Sequence, residues 1–175
     1  MTKTVLDLNG ANLAGADFAG ADLADAQLAG SDLRGTKFAW ADLTGADFAG
    51  ADLRGANFYC ARLPGADLTG ADLRGSILVG TDLQGARLPG AHLASVDLRC
   101  MRLRDVDLAG ADLSGAYLQS ADLRGADLRG ADLTGAYLTW IDLDGVRRDP
   151  SDPAILGWIV VDGLLTSTPQ RRDKR

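Results

Sequence analysis

From Leu6 to Gly145 the chain repeats every five residues. The third place of each five is Leu or Phe in all 28 units, from Leu8 to Leu143, without a slip. Two places earlier stands a small or apolar residue, usually Ala; one place earlier, usually Asp; two places later, usually Gly. The consensus unit is Ala71-Asp72-Leu73-Arg74-Gly75. An amphipathic helix would put apolar residues at i, i+3, i+4 and i+7, and a plain strand would alternate throughout. Here the alternation lasts one step, Ala in, Asp out, Leu in, and breaks at the next two residues. That is a short extended stretch followed by a corner, and Gly suits a corner because it accepts φ > 0 without a Cβ clash. Repeated corners wind the chain into a coil whose turns stack at strand spacing, roughly 4.8 Å. Each turn leaves backbone groups for its neighbours, so no single unit is stable alone.

These units resemble the pentapeptide repeat proteins, whose pattern is Ala-Asp/Asn-Leu-Xaa-Xaa, over residues 6–145. The resemblance implies an all-β fold: a right-handed quadrilateral β-helix of about seven coils, four pentads per coil and one per side. The Leu/Phe centre and the residue two before it then point inward. The expected organisation is a lead-in at 1–5, the β-helix at 6–145, a cap or dimerisation segment at 146–165 and a disordered basic tail at 166–175.

On a ruler of twenty residues the chain separates into four sides, named here by their first centres: A (Leu8), B (Leu13), C (Phe18) and D (Leu23). Side B is regular, and its Asp32/Arg34, Asp52/Arg54 and Asp72/Arg74 pairs are expected to relieve the repulsion of stacked Asp. Side D is the most acidic, with Asp22, Asp25, Asp42, Asp82, Asp122 and Asp142 among its eight Asp. Side C breaks the consensus. Its outward places hold Trp40, Tyr59, Tyr117, Tyr137 and Trp140, which are all the Tyr of the chain and two of its three Trp. These could form a ladder that stiffens the side, or a contact surface for a partner.

After Gly145 the pattern stops. Asp152 and Pro153 could cap and open a short helix, although Ile159-Val160-Val161 suits a strand equally. The run is apolar all round and cannot stand in water alone. Ile155, Leu156, Trp158, Ile159 and Val161 are expected to cover the last coil, to join two chains into a homodimer, or both.

Charge and chemistry narrow the function. All 24 acidic residues are Asp, against 18 Lys and Arg, for a net charge of −6. That balance argues against direct nucleic-acid or anionic-membrane binding. Residues 86–105 are the exception, a basic belt with Arg87, Arg99, Arg102 and Arg104 against Asp97 and Asp105. No apolar signal region follows Met1. Cys60 and Cys100 fall two coils apart, roughly 10 Å, beyond disulfide reach. A cytoplasmic location is expected. His92 is the only His, no metal site is expected, and no cofactor either. Neither a Ser/His/Asp set nor a phosphate-cradling loop is present, so enzymatic activity is not expected.

Two functions remain. One is a non-enzymatic scaffold that binds a protein partner through the aromatic side. The other comes from the resemblance: some members that confer quinolone or gyrase-poison resistance are dimeric acidic rods that mimic DNA and bind DNA gyrase or topoisomerase IV. The charge here is thin for that role. Residues 6–145 carry a net −9, whereas B-DNA of about the same length carries about 20 negative charges.

Overall fold

The computed structural model describes residues 5–153 and, as backbone, 158–161 and 164–167. Parallel bridges join residues twenty apart, from Asp7 with Gln27, Asn12 with Asp32, Asp17 with Lys37 and Asp22 with Asp42, through to Asp127 with Arg147. Twenty residues at five per side make a four-sided coil. The backbone bonds run both ways between coils: Leu33 N–H donates to the Asp52 carbonyl at 2.8 Å, and Asp52 N–H to the Ser31 carbonyl at 3.0 Å.

Every corner but the one at Leu138–Ile141 is a hydrogen-bonded turn. Ala11 N–H donates to the Leu8 carbonyl at 3.1 Å, and φ is +65° at Gly10, the third residue. Positive φ at that place alone marks a type II turn. The Asp place serves the same turn, because its carboxylate accepts the N–H two residues on. Asp47 accepts from Ala49 at 2.9 Å and Asp132 from Thr134 at 2.8 Å. A short polar side chain bonded to its own backbone fixes the turn, so Asp recurs for a local reason independent of any partner.

The core is the stack of centres and the Ala places between them. Phe38 lies parallel to Phe18 and Phe58, with ring centroids 5.7 and 5.1 Å away. Burial of all 28 centres is expected from the period, but Leu8, Leu13, Phe18, Leu133 and Leu138 are only half-buried. They belong to the coils 6–25 and 126–145, each of which has a neighbouring coil on one face only.

The ladder runs one rung past Gly145. Arg147 N–H donates to the Ala126 carbonyl and Leu128 N–H to the Arg147 carbonyl, both at 2.9 Å. In this rung Val146 takes the Ala place and Arg148 takes the centre. The Arg148 side chain is 2% exposed and its Nε lies 3.3 Å from Asp152 Oδ2. Its guanidinium also donates to the carbonyls of Leu128, Ala131 and Pro153 at 3.3–3.4 Å. Burial pushes the guanidinium below its usual range, and the charges of Asp152 and Asp149 oppose that. Asp152, considered above as a helix cap, instead receives N–H bonds from Asp149 at 2.8 Å and Gly130 at 3.2 Å. The chain thus closes its coil with a buried ion pair.

Beyond it, β1 (Trp158–Val161) and β2 (Leu164–Ser167) pair antiparallel, with Trp158 opposite Ser167 and Val161 opposite Leu164. Of the two readings of this segment, strand holds for Trp158, Ile159 and Val161, and β2 enters the stretch expected to be disordered. Ile155 and Leu156 lie outside the described residues.

Candidate interaction surface

Side C carries nearly all the exposed large hydrophobic residues of the coil. Apart from Val5 and Leu6 at the start, the exposed large hydrophobic residues are Trp40, Tyr59, Ile77, Val79, Tyr117, Tyr137 and Trp140, and all seven stand on this side. The first two and the last three were singled out from the sequence. Ile77 and Val79 were not, although the unit Ser76-Ile77-Leu78-Val79-Gly80 places both outward. Their signal was aliphatic character at the Asp place and at the place after the centre.

The aromatic residues fall into two groups. Trp40 meets Tyr59 edge-on at 5.5 Å, and Tyr117 stacks on Tyr137 at 4.9 Å with planes 2° apart. Such pairs stabilise by about 0.5–1.5 kcal/mol beyond burial, so part of the ladder reading holds. It does not account for the Trp rings. Trp40 is 64% exposed and Trp140 85%.

Two structural costs gather on the same side. Eight non-Gly residues have positive φ, and five of them, Trp40, Cys60, Cys100, Ser120 and Trp140, close pentads of side C. A left-handed conformation costs an L-residue about 1–2 kcal/mol. At the corner that closes side A every such residue is Gly. The turn bond of the Asp place is also given up at Lys37, Ile77, Tyr117 and Tyr137, which have no acceptor in that position.

The acidic residues behave differently, because most already have partners. Asp42 pairs with Arg62 at 3.0 Å, and Asp122 pairs with Arg104 and with Arg124, the latter at 2.9 Å. Asp142 lies 3.4 Å from Arg124. Asp22 and Asp82 accept the backbone N–H of Ala24 and Gln84 at 3.2 and 3.1 Å. Asp25 occupies a left-handed corner at φ +63°. On side B, Arg34, Arg54 and Arg74 grip Asp32, Asp52 and Asp72 through their own pentads at 2.5–2.6 Å. Arg34 and Arg54 also reach the Asp of the following coil at 3.7 Å, which is the expected screening. The charge of Asp32, Asp52 and Asp72 on side B and of Asp42, Asp122 and Asp142 on side D is therefore paired with Arg, while Asp22 and Asp82 are met by backbone N–H groups.

Among the described residues no group of His, Cys and Asp is arranged to hold a metal ion, and Cys60 and Cys100 are free thiols. No helix there is long and apolar enough to cross a membrane.

No curated protein matches the chain. Among solved structures, Rfr23 of the cyanobacterium Cyanothece 51142 is 34% identical over 62% of this chain and 60% of that one, with a TM-score of 0.40. HetL of Nostoc, a pentapeptide repeat protein involved in regulating heterocyst differentiation, is 33% identical over 81% and 80% of the two chains, with a TM-score of 0.31. QnrB1, a plasmid-mediated fluoroquinolone resistance protein, is 24% identical over 83% and 90%, with a TM-score of 0.36. The pattern of the pentapeptide repeats matches in 8 copies, over residues 7–39, 36–75, 76–115 and 111–147. With its coil of four pentads and its Asp-buttressed corners, this chain belongs to the pentapeptide repeat family.

Proposed function

We propose that this chain is a non-enzymatic interaction scaffold whose side C docks a protein partner through Trp40, Tyr59, Tyr117, Tyr137 and Trp140, with Ile77 and Val79 between the two aromatic groups. The observation that carries this reading is the gathering of seven of the coil's eight exposed large hydrophobic residues on one side of four, the eighth being Leu6 at its open start. Side C is also electrically quiet. Lys37 pairs with Asp17 at 3.1 Å and Arg99 with Asp97 at 2.6 Å. Rings held on a rigid coil lose little entropy on docking, which favours them as anchors.

The decisive experiment compares Trp40→Ala and Tyr117→Ala with the parent in cross-linked capture of partners and in thermal melting. Each substitution should weaken binding by about 2 kcal/mol and leave the melting temperature nearly unchanged. Variants that melt earlier and bind normally would make the column a structural ladder only.

The second reading, a DNA mimic that binds DNA gyrase or topoisomerase IV, is supported by the net charge of −6. It predicts the opposite ranking: Asp22→Lys and Asp82→Lys would abolish inhibition of supercoiling, and the aromatic substitutions would matter little. The paired state of Asp42, Asp122 and Asp142 weighs against it. The apolar segment 153–165 is proposed to cover the last coil and to join two copies of the chain, in the cytoplasm.

A further inference from the structure

Single bonds of the ladder between coils are missing at Asp107, Gly125 and Asp142, but a run of consecutive bonds is lost at one place only among the described residues. Between the coils 66–85 and 86–105, side A and the start of side B keep their bonds: Leu68 N–H to the Arg87 carbonyl at 2.7 Å, Gly70 to Pro89 at 2.9 Å, and Leu73 to His92 at 2.9 Å, whereas the bond from Gly75 N–H to the Ala94 carbonyl is already missing. By the same register, the N–H groups of Leu78, Gly80, Leu83 and Gly85 would donate to Asp97, Arg99, Arg102 and Arg104. Among the described residues none of these bonds is made, and the return bonds from the Asp97 and Arg102 N–H groups are missing too. The bridges Ile77–Asp97 and Asp82–Arg102 are absent, whereas Asn57–Ile77, Arg62–Asp82, Asp97–Tyr117 and Arg102–Asp122 on either side are present.

A side-chain observation agrees. A basic residue at the Asp place elsewhere reaches the Asp twenty residues before it: Lys37 to Asp17 at 3.1 Å, Arg62 to Asp42 at 3.0 Å, Arg87 to Asp67 at 2.8 Å. Arg102 stands over Asp82 in the same register, and no ion pair joins them.

The inward residues supply a cause. On sides C and D most coils place Ala two before at least one centre. The coil 66–85 has Ser76 and Thr81 there, and the coil 86–105 has Val96 and Met101. All four are buried, so two rungs larger than Ala lie one on the other in a shaft sized for Ala. Overfilling a close-packed core displaces the backbone around it. Thr81 bonds the Phe58 carbonyl at 2.8 Å, but Ser76 Oγ has no partner.

We infer that the rod carries a hinge between residues 66–85 and 86–105, with side A and the start of side B as the pinned edge and sides C and D, from the corner at Gly75 onward, as the edge that parts. Resting on the reading of side C as a docking surface, the hinge lets one aromatic group, Trp40 and Tyr59, be re-aimed against the other, Tyr117, Tyr137 and Trp140. A partner could then seat both groups without an unbroken straight face.

Amide hydrogen exchange on the full chain tests this. The amides of Leu78, Leu83, Asp97 and Arg102 should exchange at least about tenfold faster than those of Phe58, Leu63, Leu118 and Leu68, since protection reports local opening. Equal protection would overturn the hinge. In the variant Ser76→Ala/Thr81→Ala/Val96→Ala/Met101→Ala the four amides should become protected, with Leu68 unchanged; a folded variant that keeps the fast amides would refute the overfilled core as cause. If that variant fails to fold, the parent exchange pattern alone decides. Trp40→Ala should leave the exchange pattern intact whether or not it abolishes docking, so failure of the hinge and failure of the docking surface are told apart.

Discussion

At Asp32 the carboxylate meets Arg34 edge-on, with Nε donating to Oδ1 at 2.8 Å and Nη2 to Oδ2 at 2.6 Å. These bonds hold its pKa down to about 2. The same fork lowers Asp52, Asp72, Asp97 and Asp127. A carboxyl whose folded pKa lies below its free value contributes stability above the free value and loses it as pH falls through the folded one. For Asp32 that window runs from about 4 down to about 2. Arg34→Gln should raise the Asp32 titration toward the free value, lower the melting temperature slightly at pH values above about 4, and so flatten the part of its acid fall that this carboxyl contributes. The change in stability should be small, because the pair is exposed and screened by water. An Asp32 carboxyl signal that titrates near 4 in the parent protein by NMR would contradict this. Individual residues were unevenly legible in the sequence. The Asp/Arg pairs and the outward aromatics followed from register alone. Ile77 and Val79 were passed over because an aliphatic residue in a repeat reads as core until its place in the five is checked.

Among the elements, the coil was legible and its ending was not. A five-residue period with an invariant centre permits little else, while the number of sides came from family resemblance. The closing rung was hidden because Val146-Arg147-Arg148-Asp149-Pro150 breaks every place of the consensus but its first. Moved one step further, the ruler puts Arg148 at the centre, and only the nearby Asp152 makes an inward Arg tolerable. Removing one member of a buried pair leaves an uncompensated charge, which costs about 3–5 kcal/mol. Arg148→Ala should therefore lower stability by about 3 kcal/mol in chemical denaturation, far more than Arg34→Ala on the exposed side. Equal losses for the two would mean that the closing pair contributes nothing special.

For the whole molecule, the open question is how many copies make the working unit. A chain ending at Pro153 keeps Arg148, Asp152 and the closed coil but lacks the apolar segment. In sedimentation the full chain should run as a dimer and this shorter chain as a folded monomer. A dimer of the shorter chain would assign self-association to the coil, with side C the first candidate for the contact. The hinge was latent in the sequence as four inward residues larger than Ala in adjacent coils. It was not legible there because each is an unremarkable core residue, and only their superposition at twenty residues overfills the shaft.

The bridges between residues twenty apart also set rules for how this chain can change length. Insertion of one residue would put every later Leu out of phase and destroy the core. Insertion of a whole pentad would spare the core but turn everything after it by a quarter, carrying Trp140 off the face it shares with Trp40. Only a block of twenty preserves both, lengthening the rod by roughly 4.8 Å with all four faces in alignment. Deletions obey the same arithmetic, so an internal duplication or loss is silent for the surface only in whole coils.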